Sequence, residues 1–248
     1  MDFKKSKIIT IANIKGGVGK STSSIIFSTL LAQKYKVLLI DMDTQASTTS
    51  YFNKKIIENK FDLLKKNIYG VLKSNYLIND SIINVNNRLD LLPSYLSLHE
   101  FSEEILPYKT HRLKNSLKYL KFNYDYIIID TNPHLDSTLS NALVISEHIM
   151  VPMAAEKWAI ESLQLLEFFI NKLKLNLKIF LFATKFKKNK THKDLLAILQ
   201  KKSRFLGIIS EREDLNRRIA KNDDFDLDRD YIKEYVNILN NFNAKTRN

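Results

Sequence analysis

The chain has 248 residues, 44% of them hydrophobic and 27% charged, and it contains no cysteine. This is a globular composition long enough to bury its own core, and it excludes disulfide frameworks, Cys-ligated zinc, thiolate catalysis and Cys-bound iron–sulfur clusters. The formal charge of +12 comes from 39 basic residues against 27 acidic ones, which favours an anionic partner, although a lysine- and asparagine-rich coding bias accounts for part of the excess. In chain order, short apolar runs at 8–13, 37–40, 89–92, 126–129, 149–151, 179–182 and 205–209 read as strands buried on both faces. Amphipathic stretches at 21–34, 110–121, 137–145, 159–173, 192–201 and 230–240 read as the helices between and after them. The polar, Asn-rich stretch 51–87 is expected to hold helices and irregular structure. The alternation predicts one domain over 1–248, a doubly wound α/β fold with a mainly parallel sheet and helices on both faces. No apolar run approaches the ~18–20 residues of a membrane span, and the basic N-terminus leads into a glycine loop rather than a cleavage site, so a cytoplasmic protein is expected.

Glycines total five, and Gly16, Gly17 and Gly19 fall within four residues directly after the first strand. The run Lys15-Gly16-Gly17-Val18-Gly19-Lys20-Ser21-Thr22 lacks the first glycine of G-x-x-x-x-G-K-[ST], because Ile14 stands there. It keeps the Gly-Lys-Ser end and the strand–loop–helix context. Glycines let successive backbone N–H groups converge on phosphate oxygens, and the following helix adds its positive end. Lys20 supplies a charge for β- and γ-phosphates, and the Ser21 hydroxyl is placed for Mg²⁺. An ordinary Gly turn accounts poorly for this combination.

The same run resembles the deviant Walker A motif, K-G-G-x-G-K-[ST], of the ParA/MinD branch of P-loop ATPases. The strand ending Ile40-Asp41-Met42-Asp43-Thr44-Gln45 resembles that branch's D-x-D-P-Q, and the one ending Ile129-Asp130-Thr131-Asn132-Pro133 resembles its Walker B strand. Leu91-Leu92-Pro93-Ser94, and Val151-Pro152 with Glu156 and 159–163, are fainter echoes. The likeness covers about residues 7–185 and is nearest to the ParA partition ATPases.

The resemblance implies ATP and Mg²⁺ as cofactors. It implies that Gly16, Gly17, Val18, Gly19, Lys20, Ser21 and Thr22 cradle the nucleotide, with Thr22 at the α-phosphate. It also implies that Lys15 reaches the partner's ATP across a sandwich homodimer, and that Asp43 positions the attacking water. Ser21 and Asp130 would hold the metal, with Asp41 supporting the metal and loop network. Both acidic strand ends sit where ligands bind in open α/β sheets. Asp125 and Asp136 read as turn or helix N-cap residues instead. Three positions depart from the family pattern: Thr44 and Asn132 stand where prolines are usual, and Ser210 where a proline often lies near the adenine.

Residues 185–204 carry Lys185, Lys187, Lys188, Lys190, Lys193, Lys201, Lys202 and Arg204 against Asp194 alone, a net +7. Such a stretch suits nonspecific double-stranded DNA, read through phosphates and not bases. Arg212, Arg217 and Arg218, lying among Glu211, Glu213 and Asp214, are secondary candidates, and a solvated helix face and loop is the plainer reading of 185–204. The expected cycle has an ATP-bound dimer on nucleoid DNA and a ParB-like partner that stimulates slow hydrolysis. The alternatives are a MinD-like membrane-associated ATPase and a nucleotide-dependent scaffold. The first needs a basic amphipathic C-terminal helix, whereas the stripe Tyr231, Ile232, Tyr235, Val236, Leu239 has an Asn-rich polar side that suits docking on the core. The nitrogenase iron protein group needs cluster cysteines. The five histidines show no metal spacing, and only His134, in the loop after Asp130, stands near the site.

Overall fold

Strands and helices alternate along the chain as β1 (Lys7–Ile11), α1 (Lys20–Leu31), β2 (Val37–Met42), α2 (Ser47–Tyr51), α3 (Asn53–Glu58), α4 (Ile68–Leu72), β3 (Ile83–Asn86) and β4 (Leu89–Leu92). There follow α5 (Glu100–Glu103), α6 (Arg112–Leu117), β5 (Tyr126–Thr131), α7 (Ser137–Ile145), β6 (His148–Ala154), α8 (Ala159–Lys172), β7 (Lys178–Phe186), α9 (Lys190–Gln200), β8 (Phe205–Ser210), α10 (Glu213–Lys221) and α11 (Asp230–Thr246). The computed structural model describes residues 6–154, 158–223 and 225–246; Glu156, part of one faint sequence echo, lies outside them.

The strands form one eight-stranded sheet in the order β3-β4-β2-β5-β1-β6-β7-β8, parallel throughout except for β3. Successive strand residues face opposite sides, so the continuous apolar runs feed two helical layers. Ile9, Ile11, Val37, Leu39 and Ile128 face α1 and α11, where Phe27 meets Phe182 and Tyr235 edge-on at 5.7 and 5.3 Å. Leu38, Ile40, Ile127 and Ile129 face α4 to α6 on the other side. Ile149, Val151 and Leu181 face α7 to α9 there.

Register places the chemistry. β2 pairs with β5 so that Asp41 lies opposite Asp130, and β1 pairs with β5 so that Ile11 lies opposite Asp130 as well. The loop after β1 and the acidic ends of β2 and β5 therefore emerge side by side at the carboxyl edge. The order switches there, with β5 between β1 and β2.

Four elements differ from their sequence expectation. β3 lies inside the Asn-rich stretch. It forms because Asn86 closes a tight hairpin, its side chain accepting from the N–H groups of Arg88 (3.0 Å) and Leu89 (2.9 Å). α10 has no counterpart among the expected helices; it is polar overall, with Leu215 its one fully buried residue. The helix expected at 110–121 is a 3₁₀ turn, Lys109–His111, followed by the short α6. The C-terminal helix runs on to Thr246, and its stripe of Tyr231, Ile232, Tyr235, Ile238, Leu239 and Phe242 is buried against β8 and α1. Val236, included in that stripe from sequence, is 36% exposed instead. No helix among the described residues is long and apolar enough to cross a membrane.

Candidate nucleotide site

β1 leads into the glycine loop through Asn13. Its side chain donates to the Pro152 carbonyl (2.8 Å) and accepts from the Lys15 N–H (3.0 Å), tying the loop entrance to β6. Gly17 and Gly19 hold φ of +73° and +88°, in the left-handed region that favours glycine, and a Cβ at either would meet nothing within 4 Å. The glycines thus keep open the space above the loop as well as its backbone shape. Val18 is buried, and its carbonyl accepts from the Thr184 hydroxyl at 2.8 Å, which pins the loop to β7.

Lys20 opens α1 and is 6% exposed. Its Nζ donates to the Lys15 carbonyl at 3.0 Å, curling back over the loop. Burial lowers its pKa, and the charges of Asp130 and Asp43 oppose that shift. Asp130 is fully buried; it accepts from the hydroxyls of Ser24 (3.2 Å) and Thr48 (2.7 Å), and Ser21 bonds to it as well. Burial raises the Asp130 carboxyl to about 6 despite these donors. Asp41 is raised further, to about 8, by burial first and by the Asp130 charge second. Both Asp41 oxygens are engaged, one by the Asp43 N–H (3.0 Å) and the other by the Thr49 N–H (2.8 Å) and hydroxyl (2.7 Å).

Asp43 reaches the surface of the site. It lines a cleft of about 400 Å³ together with Gly16, Gly17, Gly19, Lys20, Ser21 and Thr22. Its own carboxylate closes the following turn by accepting from the Gln45 N–H (2.9 Å), and its carbonyl accepts from the Ser94 hydroxyl (2.7 Å). Lys15 and Val18 lie beside and beneath the cleft; Asp41 and Asp130 lie under it, fully buried. A narrower recess continues past Gly19 and Thr22 between β7 and α10, bounded by Ser210, Arg212, Asn216 and Tyr235.

Sequence reasoning missed the hydroxyls that hold this arrangement: Ser24, Thr48, Thr49, Ser94 and Thr184. The run Ser47-Thr48-Thr49 after an acidic strand end was the available signal. Asp136 caps α7 by accepting from the Thr138 and Leu139 N–H groups, as expected, whereas Asp125 is neither cap nor turn residue: it accepts from the Lys36 N–H and so ties the entrance of β5 to that of β2. His134 is exposed.

The basic stretch 185–204 is not one patch. Lys185 lines the nucleotide cleft at φ +50°, and Lys187 is paired with Glu211 at 2.7 Å. Lys188, Lys190 and Lys193 are exposed at the carboxyl edge of the sheet, where α10 also carries Arg217 and Arg218. Lys201, Lys202 and Arg204 precede β8 at the opposite edge, because α9 runs back along the sheet for roughly 16 Å, at about 1.5 Å per residue.

A buried strand, a left-handed glycine loop, a helix-borne lysine and two acidic strand ends define a P-loop nucleotide-binding protein. The chain matches the family described as an AAA domain over residues 6–184. It is 63% identical, with a TM-score of 0.95 over 97% of this chain and 100% of the other, to a candidate plasmid partition protein from Borrelia burgdorferi B31 crystallised bound to AMPPNP. It is 58% identical, with a TM-score of 0.90 over 98% of this chain and 100% of the other, to a plasmid partition protein from Borrelia burgdorferi. The sporulation initiation inhibitor protein Soj of Bacillus subtilis (strain 168) is 40% identical over 162 residues, 63% of this chain and 62% of Soj. The chain spans about three fifths of the length of the curated relatives it matches. The chain belongs to the ParA-type partition ATPases of the AAA-domain family.

Proposed function

We propose that this chain hydrolyses ATP as the switch of a DNA-segregation system. The observation that carries the reading is the convergence of Lys20, the loop glycines, Ser21 and Asp43 on one cleft above the buried Asp130. The polyphosphate would lie along the loop N–H groups at the start of α1, and the base would lie in the part of the same cleft lined by Asn216 and Ile219.

The donor set fits Mg²⁺. A serine hydroxyl bonded to a buried carboxylate is a hard oxygen pair, and burial raises that carboxyl despite the Lys20 charge, so a cation there would add to the stabilisation of its ionised form. When bound, the ion neutralises charge on the β- and γ-phosphate oxygens. Lys20 turns from the Lys15 carbonyl to the γ-phosphate, Asp43 orients the in-line water from the cleft wall, and Asp41 holds the Asp43 loop in place. Lys15 acts across an ATP-bound homodimer.

DNA binding is assigned to the carboxyl-edge group of Lys188, Lys190, Lys193, Arg217 and Arg218, with Lys187 partly offset by Glu211. Helix α2 links this edge to the nucleotide. Thr48 bonds Asp130, Thr49 bonds Asp41, and Tyr51 donates to the Asp223 carbonyl (2.9 Å) and stacks on Phe225 at 5.5 Å, just beyond α10. Differential DNA affinity of the ATP state is the coupling, and a ParB-like partner stimulates hydrolysis to release the nucleoid-bound dimer in the cytoplasm. Fluorescence anisotropy on a random-sequence duplex tests this. Binding should appear with ATP and Mg²⁺, and be absent with ADP and in Lys20→Ala. Equal binding in every state would refute the coupling.

A further inference from the structure

A second cleft, of about 360 Å³, shares no lining residue with the nucleotide cleft. It opens between the turn after α4 and the segment entering α6. Val71 and Ile78 form its buried floor, while Leu77, Tyr108 and Tyr119 stand at its rim 63%, 83% and 69% exposed. Three large apolar side chains left in water around one concavity are characteristic of an interaction site.

Arg112 also lines this cleft. One of its five N–H donors reaches the Ser74 hydroxyl at 3.2 Å, the buried Nε–H has no acceptor, and among the described residues no carboxylate pairs with it. That Nε is out of reach of solvent, but the Nη2 group is neither buried nor bonded among the described residues, so the guanidinium keeps donors for an acceptor from outside. The wall that carries Arg112 is basic, although Asp80 and Glu104 lie just beyond the cleft's lining. Residues 105–124 contain Lys109, Arg112, Lys114, Lys118 and Lys121 and not one Asp or Glu. Lys109 is spent on the carbonyls of Ser102 and Glu104, but Lys114, Lys118 and Lys121 are exposed and carry no ion pair among the described residues.

We propose that this cleft docks an acidic peptide segment of a partner protein, which places an aliphatic or aromatic side chain between Leu77, Tyr108 and Tyr119 and a carboxylate on Arg112. A carboxylate matches the guanidinium fork, and the lysines beyond it would steer an acidic segment inward. A membrane would require these apolar groups on a convex face, and nucleic acid would require a groove tracking successive phosphates. This open concave hollow with one unpaired arginine suits neither.

The test pans a library of short random peptides, displayed on phage, against the full chain, with counter-selection on the Leu77→Ser/Tyr119→Ser double variant. Both substitutions are at exposed positions, and unchanged melting and ATP-analogue binding would show that the variant is folded. The expected enriched peptides combine Asp or Glu with an aromatic or aliphatic residue. A fluorescein-labelled copy of the enriched sequence should bind the wild type and weaken about tenfold or more in Arg112→Gln and in Tyr119→Ser. The proposal is overturned by enrichment of non-acidic sequences, or by equal binding to wild type and both variants. It is equally overturned if this surface instead takes up the random-sequence duplex or phosphatidylserine vesicles, with those signals lost in the same variants.

Discussion

Two carboxylates lie side by side, fully buried, with a lysine that is itself destabilised as a cation. Neutralising one of them by Asp130→Asn is therefore a direct probe of how the nucleotide-free site is held. Asp130 is raised from 3.8 to about 6, so the folded state holds its proton more tightly than the unfolded chain does. Over roughly pH 4 to 6 the native state binds more protons, and its stability falls as pH rises through that window; Asp41, raised to about 8, extends the fall to higher pH. A shift of about two units corresponds to ~3 kcal/mol of destabilisation once Asp130 is fully ionised, at about 1.36 kcal/mol per unit. The asparagine keeps the size of the side chain and an acceptor for Thr48, but it carries no charge. Relative to wild type, the variant should gain about 3 kcal/mol between pH 4 and pH 8, or roughly 6–12 °C in Tm for a chain of this size. Thermal melts without nucleotide, in EDTA, at intervals from pH 4 to 8.5 would measure it. A Tm difference that is flat across this range would refute the buried-charge argument. With ATP and Mg²⁺ present the order should reverse, because the variant loses the carboxylate that favours the cation.

Gly19→Ala places a Cβ in open space at φ +88°, so the fold should lose only about 1–2 kcal/mol of left-handed strain, while ATP affinity falls at least tenfold because that space belongs to phosphate; isothermal titration with unchanged affinity would contradict this use of the loop. Tyr51→Phe keeps the Phe225 stack and loses the bond to the Asp223 carbonyl. It should cost about 1 kcal/mol in urea melts and narrow the ratio of DNA affinities between ATP and ADP states. Charge reversal of Lys188 and Lys190 to Glu should weaken duplex binding and flatten its salt dependence, whereas reversal of Lys201 and Lys202 should leave both near wild type; the opposite pattern in a salt titration would move the DNA interface to the other sheet edge.

The phosphate loop was legible because a glycine-poor chain has few reasons to place three glycines in four residues, and because the buried strand and the helix on either side supply the required context. Asp41 and Asp130 were legible as strand-end acids, but their adjacency follows from the β2–β5 register, which one strand's sequence does not contain. Of the anchoring hydroxyls, Thr48 and Thr49 left only a Ser-Thr-Thr run after an acidic strand end as a signal, and Thr184 left none. A threonine that anchors a loop leaves no spacing pattern, and each acts on a partner at least eight positions away in sequence. The basic stretch is continuous in sequence but divided in space. Charge density along a chain ignores that a helix between parallel strands must travel back across the sheet, carrying Lys201, Lys202 and Arg204 to the far edge. β3 was hidden because Asn residues do for its hairpin what β-branched residues usually do for a strand's visibility.

The three departures from the family pattern have a common physical form. At Thr44, the turn is closed by the Asp43 carboxylate on the Gln45 N–H and by the Asp43 carbonyl on the Ala46 N–H (3.0 Å). At Asn132, the side chain donates to Asp136 (2.9 Å) and Thr138 (2.8 Å) and accepts from the His134 N–H (3.1 Å), which binds the loop after β5 to the start of α7. At Ser210, the backbone N–H and the hydroxyl both donate to Glu234 on α11 (2.7 and 2.8 Å), and the first of these bonds is one no proline makes. A proline ring stiffens a loop by about 0.4–1 kcal/mol through the unfolded chain, and one net intramolecular hydrogen bond contributes about 0.5–1.5 kcal/mol. Two or three bonds at each site therefore match or exceed what the ring would supply. The difference lies in how the constraint is released. A ring restricts its loop in every state, whereas these bonds restrain it only while both partners are in place. The loops at Thr44, Asn132 and Ser210 are thus held by side-chain and backbone hydrogen bonds where the family pattern uses rings.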